Sequence, residues 1–181
     1  MTGPGEFVRS ETLRNGLAVT IRPLRADDRD RIAQAFERLG PESIYMRMFS
    51  YRTELTETGL DRIMSVDPAR EAALVVTVGA GDDEAVIGTG RYVGSASGAT
   101  ERTAEIAFVV EEDYQGLGIA GRLLRHLADI ASMRGIVKFE ADVLAENKSM
   151  LAVFARSGLP MRKERDGGTV HVTLSLGGGP P

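Results

Sequence analysis

Hydrophobic positions in this chain change period several times, and each change marks a boundary between elements. Val19 and Ile21 alternate with the polar Thr20 and Arg22, the period of two that suits a half-buried strand. Asn15-Gly16 just before them is a hairpin signal, so a strand near 11–14 is expected to turn back into one near 17–22. Ile32, Ala35, Phe36 and Leu39 then recur at helical spacing. Asp27 or Asp28 suits the N-cap of that helix, and Gly40-Pro41 supplies its stop. Pro41 is read as opening a second short helix, and Thr56 with Glu57 as capping a third that carries Leu60, Ile63 and Met64.

From residue 72 the period returns to two. Segments 72–78 and 85–93 read as strands around the turn from Gly79 to Asp83, and 103–110 as another after a Gly/Ser-rich loop. Leu123, Leu124, Leu127, Ile130 and Ala131 mark an amphipathic helix, and 136–143 reads as a buried strand between two helices. A last hairpin pairs 161–165 with 169–176 around Asp166-Gly167-Gly168. This order predicts an α+β fold with a central mixed, twisted sheet of about six to seven strands flanked by helices. No repeat or linker interrupts residues 1–176, which are expected to form a single domain, and Gly177-Gly178-Gly179-Pro180-Pro181 is expected to be a disordered tail.

Composition narrows the function classes. With 181 residues, 43% of them hydrophobic, the chain can bury a substantial core without staples. It has no cysteine, which removes disulfides, thiolate metal sites and thiol nucleophiles. Its two histidines lack metal-ligand spacing, so no metal site is expected. A net charge of −4 argues against a nucleic-acid partner. No apolar run reaches the roughly 20 residues that span a bilayer, and residues 1–6 lack a signal-peptide core, so a cytoplasmic protein without a membrane partner is expected.

The most informative stretch is Gln115-Gly116-Leu117-Gly118-Ile119-Ala120-Gly121, between a β-like run and an amphipathic helix. Backbone N–H groups at a helix entry lack internal partners and, with the helix dipole, favour an anion. The loop lacks the Gly-Lys-Ser/Thr ending of a nucleoside-triphosphate P-loop and the glycine spacing of a dinucleotide-binding turn. Tight turns and close packing also select glycine, so the loop alone leaves phosphate binding open.

Gln115, Gly118 and Ala120 fit Gln/Arg-x-x-Gly-x-Gly/Ala, which resembles the acyl-CoA pyrophosphate loop of the GNAT N-acetyltransferase superfamily. Ala104-Glu105-Ile106-Ala107-Phe108 resembles the strand that carries a general-base Glu in the histone-acetyltransferase branch. Asn147, Met150, Phe154 and Gly158 resemble the helix that closes over the pantetheine arm. Val19 to Leu24, Asp27-Asp28 and Ser43 to Phe49 resemble the opening of bacterial Pat-type protein lysine acetyltransferases. The resemblance implies a GNAT-like fold and acetyl-CoA as cosubstrate. It implies cofactor contacts from Val109, Val110, Gln115, Gly116, Leu117, Gly118, Ile119, Ala120, Gly121, Asn147 and Phe154. Glu105 would be the general base and the Val109 N–H the oxyanion donor. It further implies a protein lysine acceptor, with an acyl-CoA synthetase as one such partner. Many Pat-type chains carry a fused regulatory domain, and none is expected within these 181 residues.

Each assignment has a plainer counterpart. Strand alternation separates Glu105, Ala107 and Val109 from Ala104, Ile106 and Phe108, and a carboxylate among apolar neighbours is expected to be desolvated, with its pKa raised towards that of a working base. Glu105 is otherwise a strand Glu in a cross-strand ion pair. It stands roughly 13 Å along the strand from Val109, so a water or a substrate nitrogen must lie between the two centres. The Val109 N–H is free only if the strand splays or bulges there. Asn147 suits an N-cap as well as a pantetheine contact. Phe154 stands where the superfamily often has a proton-donating Tyr, leaving water, Tyr114 or Tyr45 to serve the thiolate. His126 is expected on the solvated helix face, and His171 has no orienting partner visible in sequence. Met46, Met48 and Met64 read as packing residues, and Glu111-Glu112-Asp113 as a solvated charge cluster that could also attract a basic peptide.

Three classes of function fit these residues: a protein lysine acetyltransferase, a small-amine acetyltransferase, and a non-catalytic acyl-CoA-binding module. Acyl preference and oligomeric state are not legible in the sequence.

Overall fold

The computed structural model describes residues 8–38, 57–95 and 102–176. Eight strands form one mixed sheet: β1 (Arg9–Thr12), β2 (Ala18–Pro23), β3 (Glu71–Val78), β4 (Ala85–Gly94), β5 (Thr103–Val110), β6 (Lys138–Leu144), β7 (Met161–Asp166) and β8 (Thr169–Ser175). Their spatial order is β1-β2-β3-β4-β5-β6-β8-β7. Four helices are described: α1 (Arg29–Glu37), α2 (Glu57–Met64), α3 (Ile119–Met133) and α4 (Lys148–Ala155). The α+β architecture is the expected one, with eight strands instead of six to seven. Leu39 to Thr56 and residues 177–181 lie outside the described residues, and with them the second short helix, the Ser43 to Phe49 motif and the expected tail.

One face of the sheet holds the main core. Leu123, Leu124, Leu127, Ile130 and Ala131 of α3 pack there against Leu74, Val76, Ile106 and Phe108, and α4 contributes Phe154. Gly90 in β4 permits the close approach, because a Cβ there would meet Leu127 Cδ1 and Phe108 Cδ1 at 3.0 Å. The opposite face is covered over its first half, where Ile32 of α1 and Leu60 of α2 meet Val75 and Val86. Over β5, β6, β8 and β7 the described residues leave that face uncovered, and Glu105, Asp142 and Glu164 on those strands are exposed.

A charged knot fixes α1 to the sheet. The fully buried Arg22 of β2 donates to both carboxylate oxygens of fully buried Asp28 at 2.8 Å. The same Asp28 carboxylate accepts from the Arg25 N–H at 2.7 Å and from Arg31 at 3.2 Å. Glu84, held by Thr77 Oγ1 at 3.0 Å, accepts from Nε and Nη2 of Arg22, and the Pro23 carbonyl accepts from Nη1. Burial alone would raise the Asp28 pKa, yet these donors outweigh it and hold the carboxyl below its ordinary range.

Every neighbouring pair of strands is antiparallel except β5 and β6. A parallel pair requires a crossover, and α3 supplies it. The β5–β6 ladder holds for only three residue pairs, ending at Glu105 and Glu140. Beyond them the strands diverge, and the sheet opens into a wedge at its centre.

Candidate active site

The wedge forms a cleft of about 1320 Å³ lined by β5 from Glu105 to Val110, the loop and first turns of α3, β6 residues Ala141 to Val143, and α4. It gathers Glu105, Val109, Val110, Gln115, Gly116, Gly118, Ile119, Ala120, Gly121, Asn147 and Phe154, residues spread over some 50 positions of sequence. Leu117 departs from the expected set: its half-buried side chain packs against the core and does not line the cleft.

Gly118 is the N-cap of α3 at φ 90°, and no side chain caps the helix there. The first-turn N–H groups thus open onto the cleft, as an anion cradle requires. Gln115 fastens the loop by donating from Nε2 to the Val110 carbonyl at 3.0 Å. Gly118→Val is expected to weaken CoA binding roughly tenfold or more, since a β-branched residue resists positive φ and fills the anion's space. Calorimetric titration of both proteins with CoA measures it; equal affinity in a folded variant would place the phosphates elsewhere.

The bulge required to free the Val109 N–H is not present. Glu111 N–H donates to the Ile87 carbonyl at 2.9 Å and Ser95 N–H to the Thr103 carbonyl at 2.8 Å. The β4–β5 register runs unbroken between them. Hydrogen-bonded pairs alternate in an antiparallel ladder, so Val109 faces Thr89 on β4, and its carbonyl lies 3.5 Å from where a Gly88 Cβ would stand. The groups directed at the wedge are the N–H groups of Phe108 and Val110.

Glu105 ends the part of β5 that pairs with β6, opposite Glu140. Its side chain is exposed, so the desolvation expected of a carboxylate in an apolar strand is absent. Asn147 is the N-cap of α4, its Oδ1 accepting from the Met150 N–H at 3.2 Å. The cap uses the carbonyl end of the amide and leaves its N–H donors for a ligand. Phe154 is 1% exposed and tilts against Phe108, ring centroids 6.2 Å apart. Tyr114 is among the residues that line the cleft, while Tyr45 lies outside the described residues.

Both histidines differ from expectation. His126 is buried on α3, with Nε2 2.6 Å from Glu11 Oε2 of β1, because the edge hairpin covers that side of the helix. Arg122 and Arg125 reach the same carboxylate at 3.2 and 3.0 Å. Burial opposes ionisation of Glu11, but its hydrogen bond with His126 and the charges of Arg125 and Arg122 outweigh that and keep its pKa lowered. His171 on β8 does have an orienting partner: its Nδ1 is 2.8 Å from Asp142 on β6, and Nε2 is 3.5 Å from Glu140. The Asp142 hydrogen bond, opposed only in part by burial, raises the His171 pKa. Nor is the acidic run uniformly solvated: Glu111 is buried with its carboxyl 3.8 Å from Arg38, and burial pushes its pKa up.

Sequence reasoning missed the cationic side of the cleft, where Arg14, Arg122, Arg125, Lys148 and Arg156 line the wall. Arg14 comes from the β1–β2 turn, and no local pattern connects it to a loop about 100 residues away. Among the described residues, no group of three or more His, Asp or Glu stands where it could hold a metal ion, and no helix is long and apolar enough to cross a membrane.

The chain belongs to the GNAT acetyltransferases, whose family model matches residues 35–159. Within that family it is related to the Pat proteins. It is 34% identical over 146 residues to acetyltransferase Pat of Mycolicibacterium smegmatis, a match that covers 81% of this chain and 42% of that protein. An acetyltransferase of Pseudomonas aeruginosa is 32% identical over 159 residues, covering 88% of this chain and 84% of the relative. The crystal structure of the GNAT domain of PAT from S. lividans superposes with a TM-score of 0.83 at 31% identity, covering 93% of this chain and 96% of that one. The chain thus spans nearly all of the S. lividans GNAT domain and less than half the length of the M. smegmatis protein.

Proposed function

We propose that this acetyltransferase moves an acetyl group from acetyl-CoA to the side chain of a protein lysine. The observation that carries the reading is the single cleft that has Gly116 to Gly121 at one end and Glu105 at the other. The diphosphate of the cosubstrate rests on the N–H groups that open α3. Its pantetheine arm runs along the wedge between β5 and α4, towards Phe108. The thioester oxygen then meets the N–H of Phe108 or Val110, which stabilises the oxyanion as charge develops.

The acceptor enters from the open sheet face. Lysine is protonated at neutral pH, with an ordinary pKa near 10.4, and must lose a proton before it attacks. Glu105, through a bridging water, accepts that proton. The amine nitrogen bonds to the carbonyl carbon, the C–S bond breaks, and the nitrogen's second proton passes to solvent water. Phe154 has no proton to give, so the departing thiolate takes one from water or from Tyr114. An exposed strip of carboxylates, Glu105, Asp142 and Glu164 with Glu140 beside them, gives the acceptor side a negative potential suited to a cation.

Relatedness to Pat proteins supports an acyl-CoA synthetase as the protein acceptor. Incubating such a synthetase with this chain and acetyl-CoA is expected to acetylate its active-site lysine and abolish its adenylating activity. Mass spectrometry of the products decides. The same acidic strip suits a free polyamine, and labelling of small amines with no modified protein lysine would establish that second reading instead.

A further inference from the structure

The β1–β2 turn reaches the pyrophosphate loop from outside every motif of the cofactor half. Arg14 in that turn donates from Nη1 to the Gly116 carbonyl at 3.5 Å. Its Nε, Cζ and Nη2 lie 3.7 to 4.0 Å from where a Gly118 Cβ would stand. Among the described residues no carboxylate pairs with it, whereas its neighbours Arg122 and Arg125 are both tied to Glu11. A weakly held, exposed guanidinium thus stands over the two left-handed glycines of the loop, with an uncompensated charge directed at the place an anion would occupy.

We propose that Arg14 is a cofactor-binding residue, closing over the loop to hold the diphosphate of CoA against the N–H groups at the start of α3. The inference rests on the proposed cofactor reading and extends it to the N-terminal hairpin. The planar guanidinium presents paired donors that match phosphate oxygens. The rotation needed gives up only one long hydrogen bond to Gly116. Glu11, Arg122 and His126 meanwhile anchor β1 to α3 behind the turn, so the hairpin carries Arg14 on a fixed base. The diphosphate is assigned over the 3′-phosphate because Arg14 stands at Gly116 and Gly118, over the cradle itself.

Calorimetric titration of the whole chain, Arg14→Ala and Arg14→Lys with CoA, dephospho-CoA and pantetheine tests this. Arg14→Ala is expected to weaken CoA and dephospho-CoA alike, by about tenfold, the scale of one charge-assisted contact. Arg14→Lys should restore part of the loss, and pantetheine should show no difference between variants. Arg14 is exposed, so the fold is expected to survive, with melting curves as the control. Unchanged CoA affinity in Arg14→Ala overturns the proposal and leaves the cofactor reading intact. A loss for CoA but not for dephospho-CoA also overturns it, since the contact is then to the 3′-phosphate. Failure of the unaltered chain to bind CoA would overturn the cofactor reading itself.

Discussion

Glu105→Gln is expected to lower kcat by about 10²- to 10⁴-fold, the usual cost of removing a general base, while affinity for acetyl-CoA stays unchanged. The amide keeps the shape of the carboxylate but cannot accept a proton. Two features make the expected effect so one-sided. Glu105 is the last residue of β5 paired with β6 and borders the open face where an acceptor arrives, whereas the phosphate cradle lies beyond the far end of the strand. The side chain is also exposed, so its replacement disturbs no packing. Steady-state kinetics with a lysine-containing acceptor, beside calorimetric titration with acetyl-CoA, separates the two quantities. Wild-type turnover in the variant would show that the acceptor arrives already deprotonated or that another group takes its proton.

Asp28→Ala is expected to reduce stability by about 3–5 kcal/mol, because removing one partner of a buried pair strands the other charge. Arg22 would then keep Glu84 as its one carboxylate, at 3.3 and 3.4 Å, with the Pro23 carbonyl at 3.1 Å, and the Arg25 N–H would lose its acceptor. The pH dependence follows from the lowered Asp28 pKa. A carboxyl whose folded pKa lies below its unfolded value contributes stability in full above that unfolded value, and loses it as pH falls through the folded one. The difference between wild type and variant should therefore hold at neutral pH and narrow in strong acid, below the ordinary carboxylate value of 3.8. Urea unfolding at both pH values measures this; an unaltered midpoint at neutral pH would show that the knot contributes nothing net.

The parts of this fold that were legible in sequence are those in which one face of an element meets the core. Alternation in 72–78 and 85–93 and the stripe from Leu123 to Ala131 gave strands and a helix near their observed limits. β1 reads Arg-Ser-Glu-Thr and β7 Met-Arg-Lys-Glu-Arg-Asp, both edge strands with almost no buried side chains, so neither carries alternation and each was legible only from the hairpin turn beside it. The site divides in the same way. Glu105 and the glycine loop are contiguous motifs, and the structure brings them to one cleft.

What depends on contacts across the chain was hidden. His126 is buried by Glu11, and Arg14 meets the loop only because β1 folds beside α3. Val109 was assigned from a motif, but the side of a strand to which an N–H points is fixed by register with its neighbours.

The three-pair seam between β5 and β6 gives the sheet an edge in its interior. Unpaired strand margins usually invite another chain to add itself, and proteins guard them with charge, proline or brevity. Here the guard is geometric. Neighbouring strands stand roughly 4.8 Å apart, so an inserted strand needs about twice that spacing to pair on both sides. The margins converge to ordinary spacing at Glu105 and Glu140, which bars a polypeptide from the vertex. A slender, unbranched chain bearing amides is not excluded in this way. The vertex of the split is thus a size filter, open to a thin linker where a strand does not fit.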